Sequence, residues 1–201
     1  MITEFEARKL EINMREVIQL IESAGGKLSG IFFQRRYVYD FSPPQKGKWI
    51  RLRSNGVDAS ITVKERKNNE IGGMEELEIG VSDFEGANKL LNKLGYSPQS
   101  FQENFRIEYT LNNAVLDIDK WPMIPALLEI EGDSEDSVLN ALKPINISKG
   151  DVITLGIKEL YREVYNINLD DIQHLAFTDD EKVEMKALIA EKYPDKVNVM
   201  G

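Results

Sequence analysis

Three acidic pairs carry the first chemical signal in this chain: Glu4-x-Glu6, followed at once by Arg8, then Glu76-x-Glu78 and Glu129-x-Glu131. In a β-strand residues i and i+2 share a face. Each pair therefore sets two carboxylates side by side, with an apolar residue (Phe5, Leu77 or Ile130) on the other face. Carboxylates about 7 Å apart repel by roughly 2–3 kcal/mol at an effective dielectric of about 20. One such pair is an ordinary solvated strand. Several of them, in a chain that also carries alternating arginines, point to a place where cations are held.

The basic counterparts follow the same alternation. Arg51 and Arg53 oppose Ile50 and Leu52, and Lys64 and Arg66 lie with Thr62 opposite Ile61 and Val63. Arg106 and Glu108 oppose Phe105 and Ile107, while Asp117 and Asp119 oppose Leu116 and Ile118. One strand is less regular, with Gln34, Arg36 and Asp40 on one face. Guanidinium groups grip phosphate oxygens bidentately and stay charged. Clustered carboxylates suit Mg²⁺ or Mn²⁺, hard ions that prefer oxygen ligands. Such a metal polarises a phosphoryl group or activates a water for in-line attack. A triphosphate compound would use both walls. The chain has no cysteine, which excludes thiolate catalysis, disulfides and zinc–thiolate sites. Its single histidine, His174, reads as a surface or packing residue, and no Gly-rich P-loop is present.

These residues need strands to present them. Alternation and turn residues predict strands over 2–12, 30–41, 48–53, 59–66, 75–81, 100–111, 114–119 and 127–131. Capping-box pairs predict helix starts at Asn13/Glu16, Ser82/Glu85 and Thr178/Glu181. Gly25-Gly26 and Gly95 end the first two of these helices, and the third runs to about Lys192. Ser134 opens a short helix to about Leu142, and another runs from Asp151 to Tyr165. The unit of an acidic-pair strand, a helix and a further strand occurs twice, as a degenerate internal repeat. Residues 1–166 form the main domain, and 167–201 an acidic helical appendage that either closes the site or joins two subunits as a homodimer.

At 201 residues with 42% hydrophobic content the chain can build one core. Its net charge of −9 argues against a nucleic-acid partner, which needs a basic surface. No apolar run approaches the roughly 20 residues that span a bilayer, and nothing near Met1 resembles a signal peptide, so a cytoplasmic protein without a membrane partner is expected. Two architectures fit strands with one charged and one apolar face. A sheet can pack its apolar face on helices and leave the charged face to water. Alternatively, about eight strands close into a barrel with a charged interior. Nearly pure acidic or pure basic faces, strand by strand, favour the barrel, because such an interior separates a metal side from an anion side. The expected fold class is thus α+β: a closed antiparallel eight-stranded β-barrel, or tunnel, flanked by helices.

In order along the chain these elements resemble the CYTH superfamily, the triphosphate tunnel metalloenzymes. Glu4-x-Glu6-x-Arg8 is similar to its ExExK signature, Arg51-Leu52-Arg53 to its paired-arginine strand and Thr62-Val63-Lys64 to its Thr-x-Lys strand. Glu76-x-Glu78 resembles the central acidic pair, Arg106 falls on the basic strand, and Asp119 precedes Glu129-x-Glu131 at the family spacing. The resemblance spans roughly 2–165. It implies a metal side of Glu4, Glu6, Asp119, Glu129 and Glu131, and a phosphate grip of Arg8, Arg51, Arg53, Lys64 and Arg106. Glu6 and Lys64 would be the catalytic residues, with Glu76 and Glu78 holding a second metal or orienting the bases. Three residues depart from the pattern: Arg8 replaces the signature lysine, Asn104 stands where a basic residue is frequent, and Arg36 where an acid or neutral residue is usual.

The resemblance implies a metal-dependent phosphohydrolase using Mg²⁺ or Mn²⁺ on a small triphosphate: tripolyphosphate, thiamine triphosphate or a nucleoside triphosphate. The alternatives are a class IV-type adenylyl cyclase and a non-catalytic nucleotide- or polyphosphate-binding module. Cyclase-type chains often carry a His-Phe pair ahead of the signature. Met1-Ile2-Thr3 stands there instead, so hydrolysis is the leading expectation.

Overall fold

The computed structural model describes residues 2–196. The strands are β1 (Ile2–Lys9), β2 (Lys27–Asp40), β3 (Lys48–Ser54), β4 (Ala59–Arg66), β5 (Met74–Val81), β6 (Ser100–Leu111), β7 (Ala114–Lys120), β8 (Leu127–Gly132) and β9 (His174–Leu175). The helices are α1 (Met14–Ser23), α2 (Phe84–Lys93), α3 (Glu135–Leu142), α4 (Ile157–Tyr165) and α5 (Asp179–Lys192).

Eight strands close on themselves in the order β2-β3-β4-β5-β1-β8-β7-β6, and β6 pairs back onto β2 from Lys27↔Thr110 to Val38↔Ser100. Every contact in this ring is antiparallel. The short β9 adds a parallel pairing at Phe101 and Gln102 of β6. The expected α+β barrel is therefore the fold, with one more strand than the alternation suggests.

The internal repeat organises the ring. Both β1-α1-β2-β3-β4 and β5-α2-β6-β7-β8 follow the same element order. Carrying each strand to its counterpart in the other half leaves the ring order unchanged, with β1 against β5 and β2 against β6. The halves differ in charge: β3 and β4 bring Arg51, Arg53 and Lys64, whereas β7 and β8 bring Asp117, Asp119, Glu129 and Glu131.

Local chemistry sets most element ends. The Asn13 side chain accepts from the backbone N–H groups of Arg15 and Glu16, and Gly25 at φ +89° ends the first helical segment. Thr178 and Glu181 form the expected capping box at α5. The cap of α2 is Asp83 rather than Ser82; its carboxylate accepts from Gly86 N at 2.9 Å. β1 stops at Lys9, short of Ile12, because Glu11 takes φ +53°. α4 starts at Ile157 rather than Asp151. The β-branched run Val152-Ile153-Thr154 disfavours helix, and Ile153 instead bridges Arg8 of β1 through both backbone bonds, 2.8 and 2.9 Å.

The apolar outer faces bury against helices. Ile107, Tyr109, Leu116, Ile118, Leu128 and Ile130 pack on α1, α3 and α5, while Tyr39, Ile50 and Leu52 pack on Phe84, Ala87 and Leu91 of α2. A third cluster joins Trp121, Ile124 and Leu127, around the β7–β8 connection, to Leu160 and Tyr161 of α4 and to Leu169 and Leu175. Phe177, Met185 and Ile189 enter the main cluster, so the segment after Asn166 is built into the same core as the barrel. The cover is incomplete along β5, where Leu77 and Ile79 remain exposed. Among the described residues no helix is long and apolar enough to cross a membrane.

Candidate functional site

The inward faces carry the polar and charged residues that alternation selects. Glu4, Glu6, Arg8, Thr62, Lys64, Arg106, Asp117, Asp119 and Glu129 are all buried. β1 meets β8 with Arg8 opposite Glu129 and Glu6 opposite Glu131. Arg8 Nη2 lies 2.7 Å from Glu6 and 2.5 Å from Glu129, and its Nη1 donates to the Leu155 carbonyl at 2.8 Å. The barrel thus brings Arg8 into the acidic wall rather than opposite it.

Arg106 is bound in the same way. Its Nε and Nη2 reach both oxygens of Asp119 at 2.8 and 2.6 Å, Nη1 pairs with Asp117, and Nη2 lies 3.2 Å from Glu129. Lys64 Nζ stands 2.8–3.0 Å from the two oxygens of Glu4 and 3.4 Å from Glu76. Arg51 and Arg53 share Glu78 at 3.4 and 3.8 Å, and Thr62 donates to the same carboxylate at 2.5 Å. Glu76 and Glu78 therefore stand against the basic residues of β3 and β4.

The electrostatics of the two walls follow from these contacts. Burial raises Glu131 to about 7, and Glu4, Glu129 and Glu6 add to the effect. Burial also raises Glu6, with Arg8 opposing and Glu129 and Glu4 reinforcing. Burial likewise pushes up Glu129, but Arg8, Arg106 and Lys64 outweigh it and hold that carboxyl below its ordinary range. Asp117 sits well above its usual value, chiefly through burial. On the basic side, neighbouring Arg51, then burial and Arg106, bring Arg53 down to about 10.

Among the described residues no three acidic or imidazole groups stand in a metal-ligating arrangement, since the carboxylates point to Arg8, Lys64 and Arg106. The donor set is nonetheless all oxygen, and Glu131 makes no ion pair within 4 Å among the described residues. A surplus of negative charge therefore collects around Glu4, Glu6 and Glu131. A hard divalent cation fits that donor chemistry.

Three residues of this interior escaped the sequence-based site. Asp117 shares the inward face with Asp119, a parity visible in the sequence. Arg36 was visible as a departure. Trp121, whose ring lies 4.5 Å from the Arg36 guanidinium, had no signal, because it follows β7 in a connection. A cavity of about 450 Å³ opens beside Arg53, Ser60 and Glu78 at one end of β4. Another, of about 800 Å³, lies at the other end beside Arg66, Lys67, Leu155 and Arg162.

A closed antiparallel barrel with opposed acidic and basic inner walls defines a tunnel-type fold. The CYTH domain model matches residues 4–150, and the chain belongs to the CYTH family. Members of this family are typically enzymes. Among solved structures, the PH1012 protein of Pyrococcus horikoshii OT3 superposes with a TM-score of 0.68 at 25% identity, covering 78% of this chain and 98% of that one. A Vibrio parahaemolyticus protein provisionally assigned as an adenylate cyclase aligns at 14% identity and TM-score 0.67, over 79% of this chain and 97% of its own. The Hippeastrum protein HpAC1, an adenylyl cyclase candidate described as having a dominant triphosphatase activity, aligns at 14% identity and TM-score 0.58, over 87% and 100%. No match is found among curated proteins.

Proposed function

We propose that this chain is a divalent-metal-dependent phosphohydrolase that binds a small triphosphate compound inside its barrel. The observation that carries the proposal is the charge division of the interior, with Arg51, Arg53 and Lys64 on β3 and β4 and Asp117, Asp119, Glu129 and Glu131 on β7 and β8. A polyphosphate chain bridged to a cation satisfies both walls at once.

In this reading Arg51, Arg53 and Lys64 bind the phosphate oxygens and fix the chain against the β3–β4 wall. Glu78 holds the two arginines in place, with Thr62 donating to it. Glu4, Glu6, Asp119, Glu129 and Glu131 would hold Mg²⁺ or Mn²⁺, which when bound neutralises phosphoryl charge and lowers the pKa of a water. Glu6, buried and raised in proton affinity, takes a proton from the attacking water at its carboxylate. Lys64 Nζ, beside Glu4, donates to a phosphoryl oxygen as charge develops there. Arg8 and Arg106 keep the acidic wall together and reach phosphate only as their carboxylate partners turn to the cation.

The test is direct. Purified protein is incubated with tripolyphosphate, thiamine triphosphate or ATP, with Mg²⁺ or Mn²⁺, and phosphate and cyclic AMP are measured. Phosphate without cyclic AMP is the expected result. Cyclic AMP from ATP would make the chain a cyclase. Thermal stabilisation by a triphosphate with no turnover would make it a binding module.

A further inference from the structure

The barrel wall has a seam at the end where β4 stops. β1 pairs with β5 only from Ile2 to Glu4, because Glu4 already faces Met74, the first residue of β5. Further along, a strap of residues 152–156 lies on β1 instead, with Ile153 opposite Arg8. Three consecutive carbonyls of this strap accept from barrel residues. The Ile153 carbonyl takes Arg8 N at 2.8 Å, the Leu155 carbonyl takes Arg8 Nη1 at 2.8 Å, and the Thr154 carbonyl takes Arg66 Nη1 at 3.2 Å. The Thr154 hydroxyl donates to the Asn69 carbonyl in the β4–β5 loop. The strap thus ties β1 to β4 and runs directly into α4.

Arg66 follows Thr62 and Lys64 on one face of β4 and lines the cavity of about 800 Å³. Its Nε and Nη2 are the adjacent pair that bonds side-on to two oxygens of one oxyanion. Both are buried with no hydrogen-bond partner among the described residues. Leaving buried donors of a charged group unpaired is costly. The start of α4 covers them. A Cβ at Gly156 would stand 2.7 Å from Arg66 Nη2 and 2.5 Å from Glu159 Oε2. The Glu159 carboxylate lies 3.9 Å from Nη2, opposite in charge but beyond hydrogen-bond reach. Its side chain is 35% exposed and keeps part of its hydration, and its place in the first turn of α4 stabilises it there without the arginine. Lys46, Lys67 and Arg162 line the same cavity, with Glu65 against Lys67 at 2.5 Å and Glu163 against Arg162 at 3.1 Å. An anion arriving there meets a basic mouth whose Arg66 fork is covered by a carboxylate that does not bond to it.

We propose that the strap and the first turn of α4 form an autoinhibitory latch: Glu159 stands in for an oxyanion beside Arg66, and an entering polyphosphate displaces it, takes the Nε–Nη2 fork and loosens the strap. The proposal rests on the triphosphate reading above and adds how the ligand gains the barrel. A phosphoryl group brings two oxygens to the fork at once, whereas α4 holds Glu159 where it meets neither donor. A charge-assisted bidentate bond is about twice as strong per contact as a neutral one. It therefore outcompetes the single 3.2 Å bond from Nη1 to the Thr154 carbonyl, and the strap loses its tie to β4 as the guanidinium turns.

Binding of tripolyphosphate is measured by calorimetry, in EDTA and then with Mg²⁺, for the wild type, Glu159→Gln, Arg66→Met and the double variant. Glu159→Gln should bind roughly 3-fold or more tightly, the upper range for a partly exposed ion pair. Arg66→Met should bind about 10-fold more weakly, the scale of hydrogen bonds to a charged group. In the Arg66→Met background Glu159→Gln should add nothing, because the latch has lost its partner. Where Arg66→Met does not fold, Arg66→Lys, which keeps the charge without the fork, takes its place with the same expected pattern. In the wild type, amide exchange over residues 152–160 should rise on binding while the barrel strands slow. An equal gain from Glu159→Gln in both backgrounds would mean bulk charge rather than a latch and overturns the proposal. So does wild-type affinity in either single variant, or a strap that slows with the strands. Each of these leaves the triphosphate reading intact. Failure of the wild type to bind in either buffer overturns that reading itself.

Discussion

Glu6 and Glu131 stand directly opposite each other across the β1–β8 ladder, while Arg8 faces Glu129 two residues along. The like pair lies beside Glu4 on the inner wall, and no ion pair within 4 Å neutralises Glu131 among the described residues. The fold therefore stores repulsion where a cation would relieve it.

That repulsion predicts a pH dependence in metal-free protein. Glu131 sits at about 7 in the folded state against 4.5 ordinarily. Between those values the folded chain binds more protons than the unfolded one, so stability falls as pH rises from about 4.5 to about 7 and then levels. The contribution is on the order of 3 kcal/mol. Denaturation in EDTA across this range should show a shallower decline for Glu131→Gln than for the wild type. Parallel profiles would show that Glu131 does not carry the effect.

Glu6→Gln removes one charge from the same wall without changing its volume. Metal-dependent turnover should fall by roughly 100-fold or more, the scale of losing charge stabilisation at a metal centre. The fold should persist, since Arg8 keeps Glu129 as a partner at 2.5 Å. Full activity with a native melting temperature would remove Glu6 from the site.

Arg53→Gln acts on the opposite wall. Arg53 lines the open cavity and shares Glu78 with Arg51. Losing it should weaken triphosphate binding about 10-fold, seen mainly in KM, because the contact is made equally before and during reaction. Arg51 keeps Glu78 paired, so the unliganded protein should melt as the wild type does. A fall in kcat with KM unchanged would place Arg53 at the reacting phosphoryl group instead.

Much of this was legible in the sequence, for a physical reason. A barrel wall separates a packed exterior from a polar interior, so strict alternation survives in each strand, and Glu4, Glu6, Lys64 and Asp119 can be placed inward one strand at a time. Pairing was not legible. Arg8 read as a phosphate grip, yet its partners Glu129 and the Leu155 carbonyl come from β8 and the segment before α4, which only ring closure brings near. The same holds for Arg36 and Trp121, whose contact depends on a connection with no periodic signal. Asp83 displaced Ser82 as the α2 cap because neighbouring residues can both cap, and backbone geometry chooses between them. β9, two residues long, has too little pattern to detect.

The packed cluster of Trp121, Leu160 and Tyr161 supplies a final prediction. Tyr161 of α4 is fully buried, and its hydroxyl donates to the Pro122 carbonyl at 2.6 Å. Burial, foremost, holds this phenol above its ordinary range, so it stays a donor at all accessible pH. Tyr161→Phe keeps the ring and removes the donor, leaving a buried carbonyl unsatisfied at a cost of about 1–3 kcal/mol. For a chain of this length that corresponds to a fall of several degrees in Tm, at about 2–4 °C per kcal/mol. Leu160→Ala, in the same cluster, should cost about 2–5 kcal/mol by opening a cavity. If the Leu160–Tyr161 cluster serves packing alone, both variants should keep wild-type affinity for triphosphate at temperatures where they are folded. A Tyr161→Phe protein as stable as the wild type would show that the Pro122 carbonyl finds another donor, and that this contact does not hold α4 to the β7–β8 connection.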